Sequence, residues 1–357
     1  MPTDLLQKVI DQTGCSRATV YRALQGSPLV SEVTREKVQA VAKRVGFRLN
    51  PMVGEWMARV RKPGAELSRQ PLLYLAGHKR AEYAKNFLLE ASWRAARQRA
   101  QELGFSIEIS YADQRSGGWQ RTVNHIRERG IRGVVIARFP PGSAPVELPW
   151  DELSVVGIGF TASHPPLHTV ASHGFETMRH SMEELRKRGY RRPGYVGSLT
   201  TEKIGGSRHT ADFLACREWF PEALELPPLR LMMDGDLTSC RAEFLRWYRQ
   251  YRPDVIVSGG IALFLVWLQE EGIGVPEEVG YFHIGLRKDY PEARHAAGIP
   301  QPGAELGRSA VDALAVMLYH CETGLPARAD ILQTFANSFV IGRTLREVVS
   351  KKKGCSS

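Results

Sequence analysis

The stretch Ser16–Gly26, SRATVYRALQG, constrains this chain more than any other. It follows Thr13-Gly14-Cys15, and Gly14 suits a tight, partly left-handed corner between two short helices. Ser16 is a good N-cap for the segment that follows. Val20 and Leu24 lie four apart and share one buried face. Arg17, Ala18, Tyr21 and Arg22 then point elsewhere. A short helix with a buried back and an arginine-bearing front matches what a recognition helix in a DNA major groove requires. Arginine pairs with both acceptors of guanine, while serine, threonine and tyrosine reach phosphates.

The context narrows this reading. Leu6, Val9 and Ile10 give a preceding helix its apolar face; that helix begins near Thr3 or Asp4 and ends before Gly14. Ser31 caps a third helix in which Val38, Val41, Ala42 and Val45 recur at helical spacing, and Gly46 closes it. Three runs carry a family resemblance: Ser16–Gly26, Ser31-Glu32-Val33-Thr34-Arg35-Glu36-Lys37-Val38, and Val45-Gly46-Phe47-Arg48-Leu49-Asn50-Pro51. Together they resemble the DNA-binding headpiece of the lac repressor (LacI/GalR) family. The family usually has a small residue where Ile10 stands. The resemblance implies that Arg17, Ala18 and Arg22 read bases and that Ser16, Thr19, Tyr21, Gln25 and Ser31 mostly hold phosphates. It also implies a hinge helix opened by Asn50-Pro51, with Asn50, Met52 and Trp56 at the DNA. Trp56 falls on the position of the family's minor-groove leucine, with Met57 beside it. The alternative is that Trp56 packs against the body. Gly54 weakens the hinge helix by roughly 1 kcal/mol relative to alanine, which favours folding only on DNA.

Charge agrees with a polyanion-binding head. The formal net charge is +10, and residues 1–69 alone carry 12 Lys+Arg against 6 Asp+Glu. The five cysteines, Cys15, Cys216, Cys240, Cys321 and Cys355, have neither metal-ligand nor redox spacing. Reduced thiols in a cytoplasm are the simplest expectation. The first residues lack the apolar run of a signal peptide, and no stretch is long and uncharged enough to span a bilayer. No metal site, cofactor or membrane association is expected.

From Gln70 onward, buried strands alternate with amphipathic helices, and the alternation restarts after His168. This pattern predicts parallel sheets covered on both faces, in two similar halves facing a cleft. Arg188-Gly189-Tyr190-Arg191-Arg192, Glu271 through Val279, and Pro300-Gln301-Pro302 leading to Leu306-Gly307-Arg308 resemble the family's effector domain. The expected fold class is therefore α/β: a small all-α helix-turn-helix headpiece plus a periplasmic-binding-protein-like body of two doubly wound parallel-sheet subdomains. The expected divisions are headpiece 1–50, hinge and linker 51–69, an effector-binding and dimerisation domain 70–348, and a disordered tail 349–357. Within the body, subdomain 1 is expected at about 70–168 plus 297–325, and subdomain 2 at about 169–296 plus 326–348. Chain crossings are expected near His168, Arg294–Gly298 and Leu325–Arg328.

The resemblance weakens at the ligand site. Sugar-binding members commonly carry an Asn-Asp pair where this chain has Gly260-Ile261, and an aspartate where it has Gly285-Leu286. Their arginine at the start of the middle helix falls on His209, with Arg208 one residue away. The effector, if the cleft takes one, is then not expected to be a simple monosaccharide. His173, Arg208, His209 and Arg287 are the candidate effector residues; His164, His168 and Lys288 lie near the same expected loops, and the cationic members would suit an anion.

The leading expectation is a sequence-specific transcriptional regulator, a repressor by analogy, that binds a near-palindromic double-stranded operator as a homodimer with its affinity coupled to a small-molecule effector. A solute-binding protein without a DNA role is the alternative. An enzyme of doubly wound fold is a third class, but no G-x-G-x-x-G follows the first body strand, and neither a phosphate loop nor a nucleophile elbow occurs. No catalytic residue is assigned.

Overall fold

The computed structural model describes residues 2–24, 27, 29–47, 70–111, 119–140, 143–160, 165–199, 202, 208–233, 235–259, 262–287, 294–334 and 338–347. The hinge, the linker and the tail lie outside these residues, as do Gln25, Asn50, Met52, Trp56, His164 and Lys288.

Three helices form the N-terminal unit: α1 (Pro2–Thr13), α2 (Arg17–Leu24) and α3 (Glu32–Val45). Gly14 takes φ +69° and its N–H donates to the Ile10 carbonyl at 2.9 Å, which makes the corner between α1 and α2. The Ser31 side chain accepts from the Thr34 N–H, and Gly46 at φ 74° ends α3, as expected. The core is small: Leu6, Val9, Val20, Ala23, Val30, Val38, Val41 and Ala42, with Ile10, Tyr21, Leu24 and Phe47 packed at its edge.

The body contains two all-parallel sheets. The first uses β1 (Pro71–Ala76), β2 (Ser106–Tyr111), β3 (Gly133–Ile136), β4 (Ser154–Ile158), β5 (His168–Ser172) and β11 (Ile331–Thr334), in the order β11-β5-β4-β3-β1-β2. The second uses β6 (Pro193–Ser198), β7 (Leu229–Leu231), β8 (Val255–Gly259), β9 (Gly280–Leu286) and β10 (Ala297–Pro300), in the order β10-β9-β8-β6-β7. β1 is buried along nearly its whole length, as a strand covered on both faces must be. Helices α4 (Arg80–Lys85), α5 (Phe87–Glu102) and α6 (Gln120–Arg129) belong with the first sheet. Helices α7 (Gly174–Lys187), α8 (Arg208–Arg217), α9 (Leu237–Tyr251) and α10 (Leu263–Glu270) belong with the second. α11 (Gly303–His320) returns to the first unit and packs on α5. Gly307 permits that approach, since a Cβ there would fall 2.0 Å from the Ser92 carbonyl oxygen.

The strand pairings shift the division between the two halves. Strand β5 was expected to open the second subdomain, yet it pairs with β4 and β11 in the first sheet. β10 was expected in the first, yet it pairs with β9 in the second. β11 was expected in the second and lies in the first. The chain therefore passes between units after β5, after β10 and after β11. The physical reason lies in the connections. Only residues 159–167 join the parallel strands β4 and β5, so the restart of the strand–helix alternation at His168 precedes the change of sheet by one strand. After β11 the chain rejoins the second unit. Val340 bridges Gly298, Phe339 stacks on Phe282 at 5.1 Å, and Thr344 Oγ1 donates to the Tyr281 carbonyl at 2.7 Å.

Among the described residues no helix is long and apolar enough to cross a membrane.

Candidate nucleic-acid interface and cleft

The N-terminal unit sorts its cations by what they touch. Lys37 Nζ donates to the Thr13 carbonyl at 3.0 Å, at the negative end of α1. Arg44 donates to the Gln12 side-chain oxygen at 2.7 Å. Arg35 donates to the carbonyls of Ser27 and Val30, each at 3.4 Å, and so ties down the loop between α2 and α3. These three are spent on the fold. Arg17 and Arg22 are exposed on α2, and their side chains make neither a hydrogen bond nor an ion pair with any described residue. Ala18 is exposed beside them.

Two helix starts share one arrangement. At α2, Ser16 Oγ accepts from the Thr19 N–H at 3.2 Å and lies 2.9 Å from the Thr19 hydroxyl. At α3, Ser31 Oγ accepts from the Thr34 N–H at 3.4 Å and lies 2.8 Å from the Thr34 hydroxyl. Each pair leaves hydroxyls at the positive end of a helix, a favourable place for a phosphate. Thr34 was not anticipated as a partner; its position three residues after a capping serine was the available signal. Tyr21 is half-buried at the core edge rather than fully displayed with the arginines. Val20 and Ala23 are fully buried, with Leu24 beside them, so α2 has the buried back that its spacing predicts.

In the body, the carboxyl ends of the strands in the first sheet meet the amino end of α8. The Arg208 guanidinium stacks on the Phe160 ring, 3.6 Å from its centroid, and thereby joins the loop after β4 to the second unit. Three of the four anticipated effector residues gather here. His173 caps α7 by accepting from the Glu176 N–H at 3.3 Å. His209 and Arg208 open α8, and all three act on the Asp212 carboxyl. Burial pushes that carboxyl above its ordinary range, against the pull of Arg208 and the two histidines. Arg287 stands apart, just after β9, near the buried His283. His168 is not in the cleft. It begins β5, and its Nδ1 accepts from the Asp330 N–H at 3.2 Å.

Sequence reasoning missed the opposite wall. Arg138 follows β3, and the Gly159 position lies against its stem: a Cβ there would be 3.7 Å from Arg138 Cγ. His78 and Tyr83 feel its charge. The Tyr83 hydroxyl donates to Tyr74 at 3.3 Å, and Tyr74 donates to Ser92 at 3.0 Å, forming a buried hydroxyl chain. Glu202 is buried and accepts from Tyr195 at 2.5 Å. Arg138 and the hydroxyl chain belong to the first unit, Glu202 and Tyr195 to the second, and they have no common sequence spacing.

Residues 6–50 match the profile of "Bacterial regulatory proteins, lacI family". No curated protein sequence matched the chain. Among solved structures, a transcriptional regulator CelR–cellobiose complex is 18% identical with a TM-score of 0.57, covering 95% of this chain and 99% of that one. The lac repressor dimer bound to operator and the anti-inducer ONPF is 17% identical, TM-score 0.56, covering 95% and 98%. A Lacl family transcriptional regulator from Silicibacter pomeroyi is 19% identical, TM-score 0.53, covering 96% and 99%. At these identities the likeness establishes the fold, that of a helix-turn-helix head and a periplasmic-binding-protein-like body. With residues 6–50 matched by the lacI-family profile, the chain carries a lacI-type DNA-binding headpiece and is a DNA-binding transcriptional regulator.

Proposed function

We propose that this regulator acts as a homodimer on a near-palindromic double-stranded operator, as a repressor whose DNA affinity is set by an effector in the body cleft. Arg17, Ala18 and Arg22 face base edges in the major groove. Ser16, Thr19, Tyr21, Gln25 and Ser31 hold phosphates, with Thr34 added by its hydroxyl contact to Ser31. Asn50, Met52 and Trp56 act at the minor groove. The observation that carries this reading is the division among the cations: Arg35, Lys37 and Arg44 are engaged within the fold, whereas Arg17 and Arg22 stand exposed without a partner among the described residues. An exposed guanidinium on a helix with a buried back is ready to pair with guanine.

Coupling follows from the joints. The two units share three strand-to-strand passages and the Arg208–Phe160 contact. A ligand that favours one relative pose shifts the population of that pose, and with it the spacing of two hinges. A role restricted to solute binding leaves the headpiece without a purpose. Binding of a duplex pool measured across a salt series tests the proposal. Log affinity falls steeply and linearly with log salt if several phosphates are neutralised. An affinity that stays flat between low and physiological salt rules out the DNA interface.

A further inference from the structure

We infer that the cleft's effector is an acidic small molecule whose carboxylate or phosphate group sits on the Arg138 guanidinium, with Arg208 closing on it from the opposite wall. This deepens the reading of the body as effector-binding and rests on it.

The placement comes first. Arg138 lies two residues past the end of β3, at the carboxyl edge of a parallel sheet, where ligands of doubly wound folds bind. Gly159, two strands over from β1 and directly after β4, has φ +73° and no side chain, and the Arg138 stem runs past it. The next residue, Phe160, is the platform for Arg208 from the second unit. Two guanidinium groups, one on each wall, therefore flank the same short loop.

The charge balance comes second. Arg138 is partly buried, and among the described residues it has neither a hydrogen bond nor an ion pair. Its neighbours are the neutral Tyr83 hydroxyl and His78. Glu82, the acid on α4, is engaged with the His78 ring and the Lys79 N–H, both at 3.3 Å. Burial pushes the Arg138 guanidinium below its ordinary pKa, with only Tyr83 opposing. Arg99 and Arg179, by contrast, have acidic partners: Arg99 pairs with Asp312 at 2.6 Å, and Arg179 with Glu176 at 2.7 Å. A desolvated cation without a counter-charge among the described residues is costly to keep, and a ligand anion would supply that charge. A planar guanidinium recognises carboxylate and phosphate alike through two parallel hydrogen bonds. The polar groups for neutral hydroxyls are largely engaged internally: Glu202 with Tyr195, and Tyr83 with Tyr74.

The test is thermal melting of the full chain at fixed pH and ionic strength, in chloride, in inorganic phosphate and in citrate. Phosphate or citrate should raise the midpoint of the parent by several degrees over chloride, in a saturable way. The phosphate and citrate arms distinguish a phosphorylated from a carboxylated effector. Arg138→Gln and Arg138→Met should lose that gain, and Arg138→Lys should keep part of it. In chloride, Arg138→Met should melt at or above the parent, because it removes a charge that no described residue matches. Equal stabilisation of parent and Arg138→Gln would place the anions on the headpiece and overturn the inference. So would no gain over chloride, or an Arg138→Met midpoint well below the parent in chloride. Duplex binding by the parent chain in chloride is read separately. Its loss would defeat the DNA reading without changing the anion result.

Discussion

Arg208 lies over the face of Phe160, its guanidinium carbon 3.6 Å from the ring centroid, and this contact spans the two units of the body. A cation–π pair at a partly exposed site contributes about 0.5–1 kcal/mol, more when water is excluded. It is too weak to lock the units and strong enough to bias their pose. Phe160→Ala should therefore lower the melting midpoint only slightly. In small-angle scattering it should give a larger radius of gyration for the ligand-free chain, and Phe160→Trp should not. An unchanged scattering profile in Phe160→Ala would mean that other contacts set the pose.

On the headpiece, Arg22→Ala should cost about 1–3 kcal/mol for the preferred site and relax specificity at one base pair of each half-site. Arg17→Ala should do the same at a different base pair. Competition binding against single-base operator variants reads both effects. A uniform loss across all variants would make Arg22 a phosphate anchor.

Much of this architecture was legible in advance. Val20, the Ser31 cap and the Gly14 and Gly46 corners are local features, and local features survive the step from sequence to fold. The alternation of strands and helices was legible for the same reason. The assignment of β5, β10 and β11 to their sheets was not, because pairing is non-local and nothing in the local pattern says which sheet a strand joins. At the cleft, His173, Arg208 and His209 were found by loop position. Arg138 was not, since nothing in Ala137-Arg138-Phe139 reveals that the Gly159 backbone and Tyr83 lie beside it.

Trp56 supplies a prediction of its own, argued from the sequence. It stands one helical turn after Met52 in a hinge that Gly54 weakens. Inserted between base steps, its indole would unstack one step at a cost of a few kcal/mol, least at a flexible pyrimidine–purine step. Trp56→Leu should keep operator binding, and Trp56→Ala should weaken it while leaving non-specific binding nearly unchanged. If Trp56→Ala binds and bends the operator like the parent, the wedge is Met57 or absent.

His283 gives the body an acid-side sensitivity. It is fully buried on β9, with Nδ1 3.3 Å from the Tyr281 hydroxyl, Nε2 without a partner among the described residues, and Ser258 opposite it on β8. Burial, with Arg287 nearby, pushes its pKa down to about 4. The unfolded chain regains a pKa of about 6.5. Between these values the unfolded state holds more protons, so stability falls as pH falls, by up to about 1.4 kcal/mol per pH unit from this group. The contribution is fully present above pH 6.5. Denaturant unfolding between pH 7 and pH 4.5 should show a shallower slope for His283→Phe than for the parent; matching slopes would mean that His283 is protonated in the fold.

The central claim is that the chain reads DNA sequence through α2 as a symmetric pair. Selection of bound duplexes from a random pool, by the full chain at physiological salt, tests it most directly. The account predicts enrichment of inverted half-sites about a central pyrimidine–purine step, with Arg22→Ala losing preference at one position in each half. Recovery of a pool with no shared site, or of a single unrepeated half-site, would contradict it.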